Sequence, residues 1–180
     1  MLINETEEQC GAAESAMIEL GELYGRIAPK LRRYLVANGC GEALADDIVQ
    51  ETFSRLVAAG DGLDDDPARL SGLVFTIARN YRTDLARKGR RVTFQPEITD
   101  EDAGSTGPAA SPSDAAYLRR RLLQAFAALP PLLREAYTLF QVMELPVAEI
   151  ARRTNVTENL VKVRIYRAKE KLRPLLKDLL

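Results

Sequence analysis

Residues 95–114 divide this chain. They contain Pro96, Pro108 and Pro112 with Gly104 and Gly107, and their charges, from Glu97 through Asp100, Glu101 and Asp102 to Asp114, are all acidic. Such a stretch has too little apolar surface to offset the entropy of ordering its backbone, so it is expected to be a flexible linker. Counted over residues 92–114, the linker relaxes to roughly 25 Å end to end and spans about 75 Å when stretched. Its acidity also discourages it from adhering to a polyanion.

Both flanks show helical periodicity, with no strand alternation and no internal repeat. The first helix is expected over about residues 12–37, with Leu20, Leu23, Tyr24, Ile27, Leu31, Tyr34 and Leu35 on one stripe and Pro29 inside it as a candidate kink. A second over about 42–58 carries Ile48, Val49, Thr52, Phe53 and Leu56 on one side. After a Gly/Asp loop at 61–66, a third runs from 67 to about 88, with Pro67 suited to a first helical turn and an inner face of Leu70, Val74, Ile77, Ala78, Tyr81 and Leu85. Beyond the linker come a helix at about 115–128, another after Pro130-Pro131, and a final helical pair. The expected fold class is all-α, two small helical domains on a tether.

The final pair, PVAEIARRTNVTENLVKVRIYRAKEKLR from Pro146, carries the sharpest chemistry. On its longer helix Val161, Ile165, Ala168 and Leu172 recur at +4, +3 and +4, one buried stripe. The far side presents Asn159, Lys162, Val163, Tyr166 and Arg167, with Arg164 flanking. A face of cations, an amide, an aromatic and a small apolar group suits the edges of bases in a major groove, and phosphates attract its cations. Ala148, Ile150 and Ala151 supply a compact inner face for the shorter helix. Thr154-Asn155-Val156 makes the corner: Asn tolerates the left-handed region, Val156 plugs the gap, and Thr157 caps the second helix. An amphipathic hairpin with a solvated basic face would show the same periodicity.

Composition narrows the chemistry. The net charge is −1, so contact with nucleic acid must come from local patches. There is no histidine, which removes Ser–His and Cys–His catalysis. Cys10 and Cys40 form no CxxC pair, so no metal site is expected. No glycine-rich phosphate loop is present and no cofactor is expected. The acidic start (Glu5, Glu7, Glu8) does not resemble a signal peptide, and no apolar run reaches membrane-spanning length. The expectation is a soluble cytoplasmic protein with no direct membrane insertion.

Two more helices are biased. The second turns Asp47, Gln50, Glu51 and Ser54 away from its apolar side, with Asp46 beside them. Such a row either docks a basic protein groove or is simply solvated. The third presents Thr76, Arg79, Asn80, Thr83 and Arg87, flanked by Arg82, and ends in Arg87-Lys88-Gly89-Arg90-Arg91. Cations there suit either phosphates or the helix dipole. Two DNA-binding sites on one tether would raise each other's effective concentration.

Taken in order, Asp46-Asp47-Ile48-Val49-Gln50-Glu51-Thr52-Phe53, Ile77-Ala78-Arg79-Asn80, the basic run, the linker and the helix-turn-helix resemble an extracytoplasmic-function (ECF) sigma factor of bacterial RNA polymerase. The resemblance covers about residues 20–175. It implies an extension at 1–19, a region 2-like domain at 20–91, a linker at 92–114 and a region 4-like domain at 115–180. It implies that Asp47, Gln50 and Glu51 dock the clamp helices of the largest polymerase subunit. Arg79 and Asn80 would engage the minus-ten element, with Arg82 and Arg87 on the nearby backbone. Asn159, Lys162, Val163, Tyr166 and Arg167 would read the minus-thirty-five element, with Arg164 on phosphate. Core RNA polymerase, promoter DNA and an anti-sigma factor are the implied partners, and the chain itself would not be an enzyme. Leu73-Val74 stands where such proteins commonly carry Trp-Leu, and Asn155 where glycine is frequent. A helix-turn-helix regulator acting without core enzyme and a helical adaptor binding only proteins are the other readings of the residues.

Overall fold

The computed structural model describes residues 4–59, 66–88 and 112–177, with side chains from 21 and from 114 onward in the outer segments. Among these residues it is entirely helical. Three helices precede the linker: α1 (Asn4–Ala37), α2 (Glu42–Ala58) and α3 (Pro67–Arg87). Four follow: α4 (Pro112–Ala127), α5 (Pro131–Gln141), α6 (Val147–Thr154) and α7 (Glu158–Leu175).

Local chemistry accounts for most boundaries. The Asp66 side chain caps α3 by accepting from the Ala68 N–H at 2.9 Å, and Pro67 follows in the first turn. Helix α4 begins at Pro112, three residues earlier than expected, because a proline fits a first helical position. Helix α1 begins at Asn4, so the extension expected at 1–19 is largely continuous with the first domain. Pro29 does not end α1. The carbonyl it deprives of a partner is that of Gly25, an exposed residue.

The predicted stripes of α2 and α7 are the buried ones: Ile48, Val49, Thr52, Phe53 and Leu56 in α2, and Val161, Ile165, Ala168 and Leu172 in α7. In α1, Leu23, Ile27, Leu31, Tyr34 and Leu35 are buried, whereas Tyr24 is exposed and meets Phe53 edge-on at 4.8 Å. Side-chain burial at Leu20 lies outside the described residues. Helix α3 departs from expectation. It buries Gly72, Val74, Phe75, Ala78 and Leu85, while Leu70, Ile77 and Tyr81 are only half-buried. Helix α3 packs on α2 along one flank and on α6 along another, which widens and rotates its covered face.

That second contact changes the architecture. The two halves the sequence led us to expect share an apolar contact as well. One continuous apolar cluster runs from Ile27, Leu31 and Phe75 in the first half to Leu139, Leu145 and Ile150 in the second. A smaller cluster of Ala125, Leu129, Ala168 and Leu172 fastens α4 to α7. Of the expected linker, all but its last three residues lies outside the described residues.

The α4–α5 corner depends on one buried cation. The Arg134 Nη2 donates to the carbonyl oxygens of Leu129 at 2.8 Å and Ala127 at 3.1 Å, where α4 runs out of partners for its last carbonyls. Arg134→Met should keep the stem's packing and lose these bonds. We expect it to cost about 1.5–3 kcal/mol of stability, read by urea unfolding of the full chain. A change below about 0.5 kcal/mol would show that the corner does not need the guanidinium.

Candidate nucleic-acid interface

The shorter helix of the helix-turn-helix, α6, ends at Asn155, whose φ of 55° and ψ of 48° lie in the left-handed region. This is the conformation the sequence demanded, and Asn adopts it at lower cost than a branched residue. Val156 tucks half-buried against the core and its N–H bonds the Ala151 carbonyl at 3.1 Å. Thr157 caps α7, its hydroxyl accepting from the Leu160 N–H at 3.3 Å. The corner thus holds α7 by its buried stripe and turns the opposite face outward.

On that face Asn159, Lys162, Val163, Tyr166 and Arg167 are all exposed, and Arg164 is half-buried at its edge. Tyr166 keeps 65% of its surface and Val163 43%, too much for core residues. Neither Lys162 nor Arg167 pairs with a carboxylate among the described residues. A rigid helix therefore offers two unpaired cations, an amide and an aromatic ring on one strip, the donors that base edges and phosphates accept.

On α3, Arg79 and Asn80 are exposed and Arg82 is half-buried. Arg79 is not free: its Nε lies 3.8 Å from a Glu135 carboxylate oxygen on α5. Arg87 is exposed with Asp84 3.9 Å away, a loose surface pair of little energetic weight. Of the basic run, Arg87 and Lys88 are described; Gly89, Arg90 and Arg91 lie outside the described residues.

On α2, Asp47 and Gln50 are exposed and Glu51 is half-buried. Glu51 accepts from Arg55 Nε at 2.7 Å, and the Arg55 guanidinium sits 4.6 Å from the centre of the Tyr81 ring. Asp46 belongs to a different network: Arg32 donates to it at 2.7 Å and to Glu42 at 3.2 Å, tying α1 to α2. The carboxylates left facing outward are those of Asp47 and Glu51.

Sequence reasoning missed a further cluster. Ala148, expected inside, is exposed, and Glu149 is buried in its place. The Glu149 carboxylate accepts from Arg152 at 2.8 and 2.9 Å and from Arg153 at 2.7 Å. Gly72, a helix-interior glycine, was the available signal. A Cβ there would lie 2.1 Å from Glu149 Oε1, so the missing side chain leaves room for the Glu149 carboxylate against α3. Burial raises the Cys40 thiol above its ordinary pKa, which keeps it an unreactive core residue. Among the described residues no cluster of acidic and thiol side chains could hold a metal ion, and no helix is long and apolar enough to cross a membrane.

Comparison with known proteins shows the family of the chain that carries these surfaces. Residues 23–92 match Sigma-70 region 2 and residues 119–172 match Sigma-70, region 4. The chain is 32% identical to the RNA polymerase sigma factor CarQ of Myxococcus xanthus over 158 residues, 88% of this chain and 89% of CarQ. It belongs to the ECF RNA polymerase sigma factors. A second relative, the ECF sigma factor SigM of Bacillus subtilis, is 28% identical over 87% of this chain and 94% of its own. Among solved structures, CnrH in complex with the cytosolic domain of CnrY superposes with a TM-score of 0.63 at 27% identity, covering 94% of each chain. In this ECF sigma factor α2 and α3 fall in the region 2 match, and α5, α6 and all but the last three residues of α7 in the region 4 match.

Proposed function

We propose that this ECF sigma factor binds core RNA polymerase through residues 20–91 and selects promoters through two DNA-facing strips. The observation that carries the reading is the joint occurrence, on one chain of this family, of an outward acidic face on α2 and an unpaired cationic, aromatic face on α7. Asp47, Gln50 and Glu51 dock the clamp helices of the largest subunit. Arg79, Asn80, Arg82 and Arg87 engage the minus-ten region. On α7, Asn159, Lys162, Val163, Arg164, Tyr166 and Arg167 meet the minus-thirty-five element within a domain spanning 115–180. The chain supplies placement and the polymerase supplies the chemistry, so its site of action is the cytoplasm. An anti-sigma factor is the proposed regulator, a reading supported by CnrH having been solved with the cytosolic domain of a second protein.

The test is reconstitution. Purified chain should retain core polymerase in a pull-down, and the reconstituted holoenzyme should direct initiation from defined start sites on genomic DNA. Duplex binding without core retention would favour a free-standing regulator. Neither activity would leave only an adaptor. Within holoenzyme, Arg167→Ala should lose about 1–3 kcal/mol of promoter preference, measured by run-off transcription on templates that differ only upstream. Equal loss on every template would demote Arg167 to a phosphate contact.

A further inference from the structure

Helix α7 carries a second pattern besides its cations. Leu160, Val163 and Tyr166 recur at +3 and +3, a row of neighbours along the helix surface. Leu160 keeps 40% of its surface, close to Val163, and Tyr166 keeps more. The row runs between Lys162 on one side and Arg167 on the other, both without a carboxylate partner among the described residues. A single exposed leucine needs no explanation, and leucine favours a helix. Val163 has neither excuse: it is β-branched, a poor helix former, and gains nothing from burial where it stands.

The cap fixes where Leu160 stands. Its N–H donates to the Thr157 hydroxyl at 3.3 Å, which holds it in the first turn of α7. In a helix-turn-helix the first residues of the second helix are those that reach base edges. Side chains three apart on a helix lie about 5–6 Å apart at Cβ, and successive bases on a strand are about 3.4 Å apart. Leu160 and Val163 therefore reach groups one or two base pairs apart. The major groove offers one apolar group, the C5-methyl of thymine. The phosphates beside it offer charge, which Lys162 and Arg167 meet. A protein helix fits the row less well, because it docks in an apolar groove with anchors over two turns or more. A row on the convex face of one helix is not a groove.

We propose that Leu160 is a specificity-determining residue, which with Val163 forms an apolar contact for the C5-methyl groups of one or two thymines in the upstream element. The inference rests on the reading of α7 as the minus-thirty-five face. It adds to that reading a residue and the chemical group the residue recognises. The cations then set how tightly α7 holds the duplex, while the Leu160 and Val163 pair distinguishes A·T from G·C pairs at fixed positions. The stiff χ1 of valine presents this surface with little rotamer freedom to lose on binding.

The test deletes the methyl from the DNA, using holoenzyme reconstituted from core polymerase and the full chain. On a promoter mapped with that holoenzyme, each thymine of the upstream element, on either strand, is replaced in turn by deoxyuridine, which pairs identically and lacks only the methyl. Wild-type holoenzyme should lose about four-fold in promoter affinity at one or two positions, the worth of one buried methyl, read by run-off transcription at limiting holoenzyme. Leu160→Ala should show a comparable loss on the thymine template and no further loss on the uracil template at one of those positions, as expected of a direct pair. Alanine favours the helix, so urea unfolding of the variant should match the wild type. No uracil-sensitive position, or sensitivity that Leu160→Ala leaves intact everywhere, would overturn the inference. So would weaker core retention by Leu160→Ala with unchanged upstream preference, which would make the row a protein contact. Absence of promoter-specific initiation would sink the promoter reading and this inference with it, whereas specific initiation without methyl dependence sinks the inference alone.

Discussion

Phe75→Ala is expected to lower the unfolding free energy by about 3–5 kcal/mol. Phe75 has no exposed surface and belongs to the apolar cluster that spans both halves. Its ring meets Tyr34 edge-on, with centroids 5.4 Å apart and planes at 90°, a geometry worth about 0.5–1.5 kcal/mol beyond the buried area. Truncation loses that pair and leaves a void that α1 and α3 cannot fill without moving two helices. Against a total stability of about 5–15 kcal/mol for an ordinary domain, the loss is large. Urea unfolding by circular dichroism checks it, with Tyr24→Ala as the comparison. Tyr24 also pairs with a ring but keeps 45% of its surface, so its change should cost much less. Comparable losses at both positions would mean that the core is not centred on Phe75.

The contrast between Phe75 and the residues that periodicity favoured shows what the sequence could and could not reveal. The α7 stripe was readable because that helix packs along one face and its spacing is strict. The corner was readable because the left-handed Asn155 and the capping Thr157 are local requirements, settled within a few residues. Helix α3 was not readable in the same way. Its period identifies a helix, but which residues are buried depends on how many neighbours cover it. The approach of α6 brings in Gly72, α1 meets Phe75 through Tyr34, and Leu70 and Tyr81 are left half-exposed. The same approach buries Glu149, a carboxylate that no periodic rule places inside, because two arginines nearby neutralise it. Outward-facing site residues fared better. Asn159, Lys162, Val163, Tyr166 and Arg167 share one exposed strip, since a helix face fixed by its buried side leaves the other side no choice.

Glu51→Arg should weaken core polymerase binding thirty-fold or more. Reversing a charge that docks in a desolvated ion pair costs about 2–5 kcal/mol or more, and each 1.4 kcal/mol is about ten-fold in affinity. The fold should survive the change. Ile48, Val49, Thr52, Phe53 and Leu56, on the opposite side of α2, carry its packing, whereas the Glu51 side chain retains 38% exposure. The substitution removes one i,i+4 pair with Arg55, which contributes about 0.3–0.5 kcal/mol at an exposed helix surface. Two cations one turn apart add a penalty of similar size. Stability should therefore fall by less than about 1 kcal/mol in urea unfolding, while affinity in a competition assay for core falls far more. Glu51→Gln separates charge from shape and should lie between the two. A loss of affinity under about three-fold from a folded Glu51→Arg chain would return the α2 face to a solvated surface. Asp47 and Gln50, exposed on the same face, would then lose their proposed docking role with it, since a helix face engages a groove as a unit.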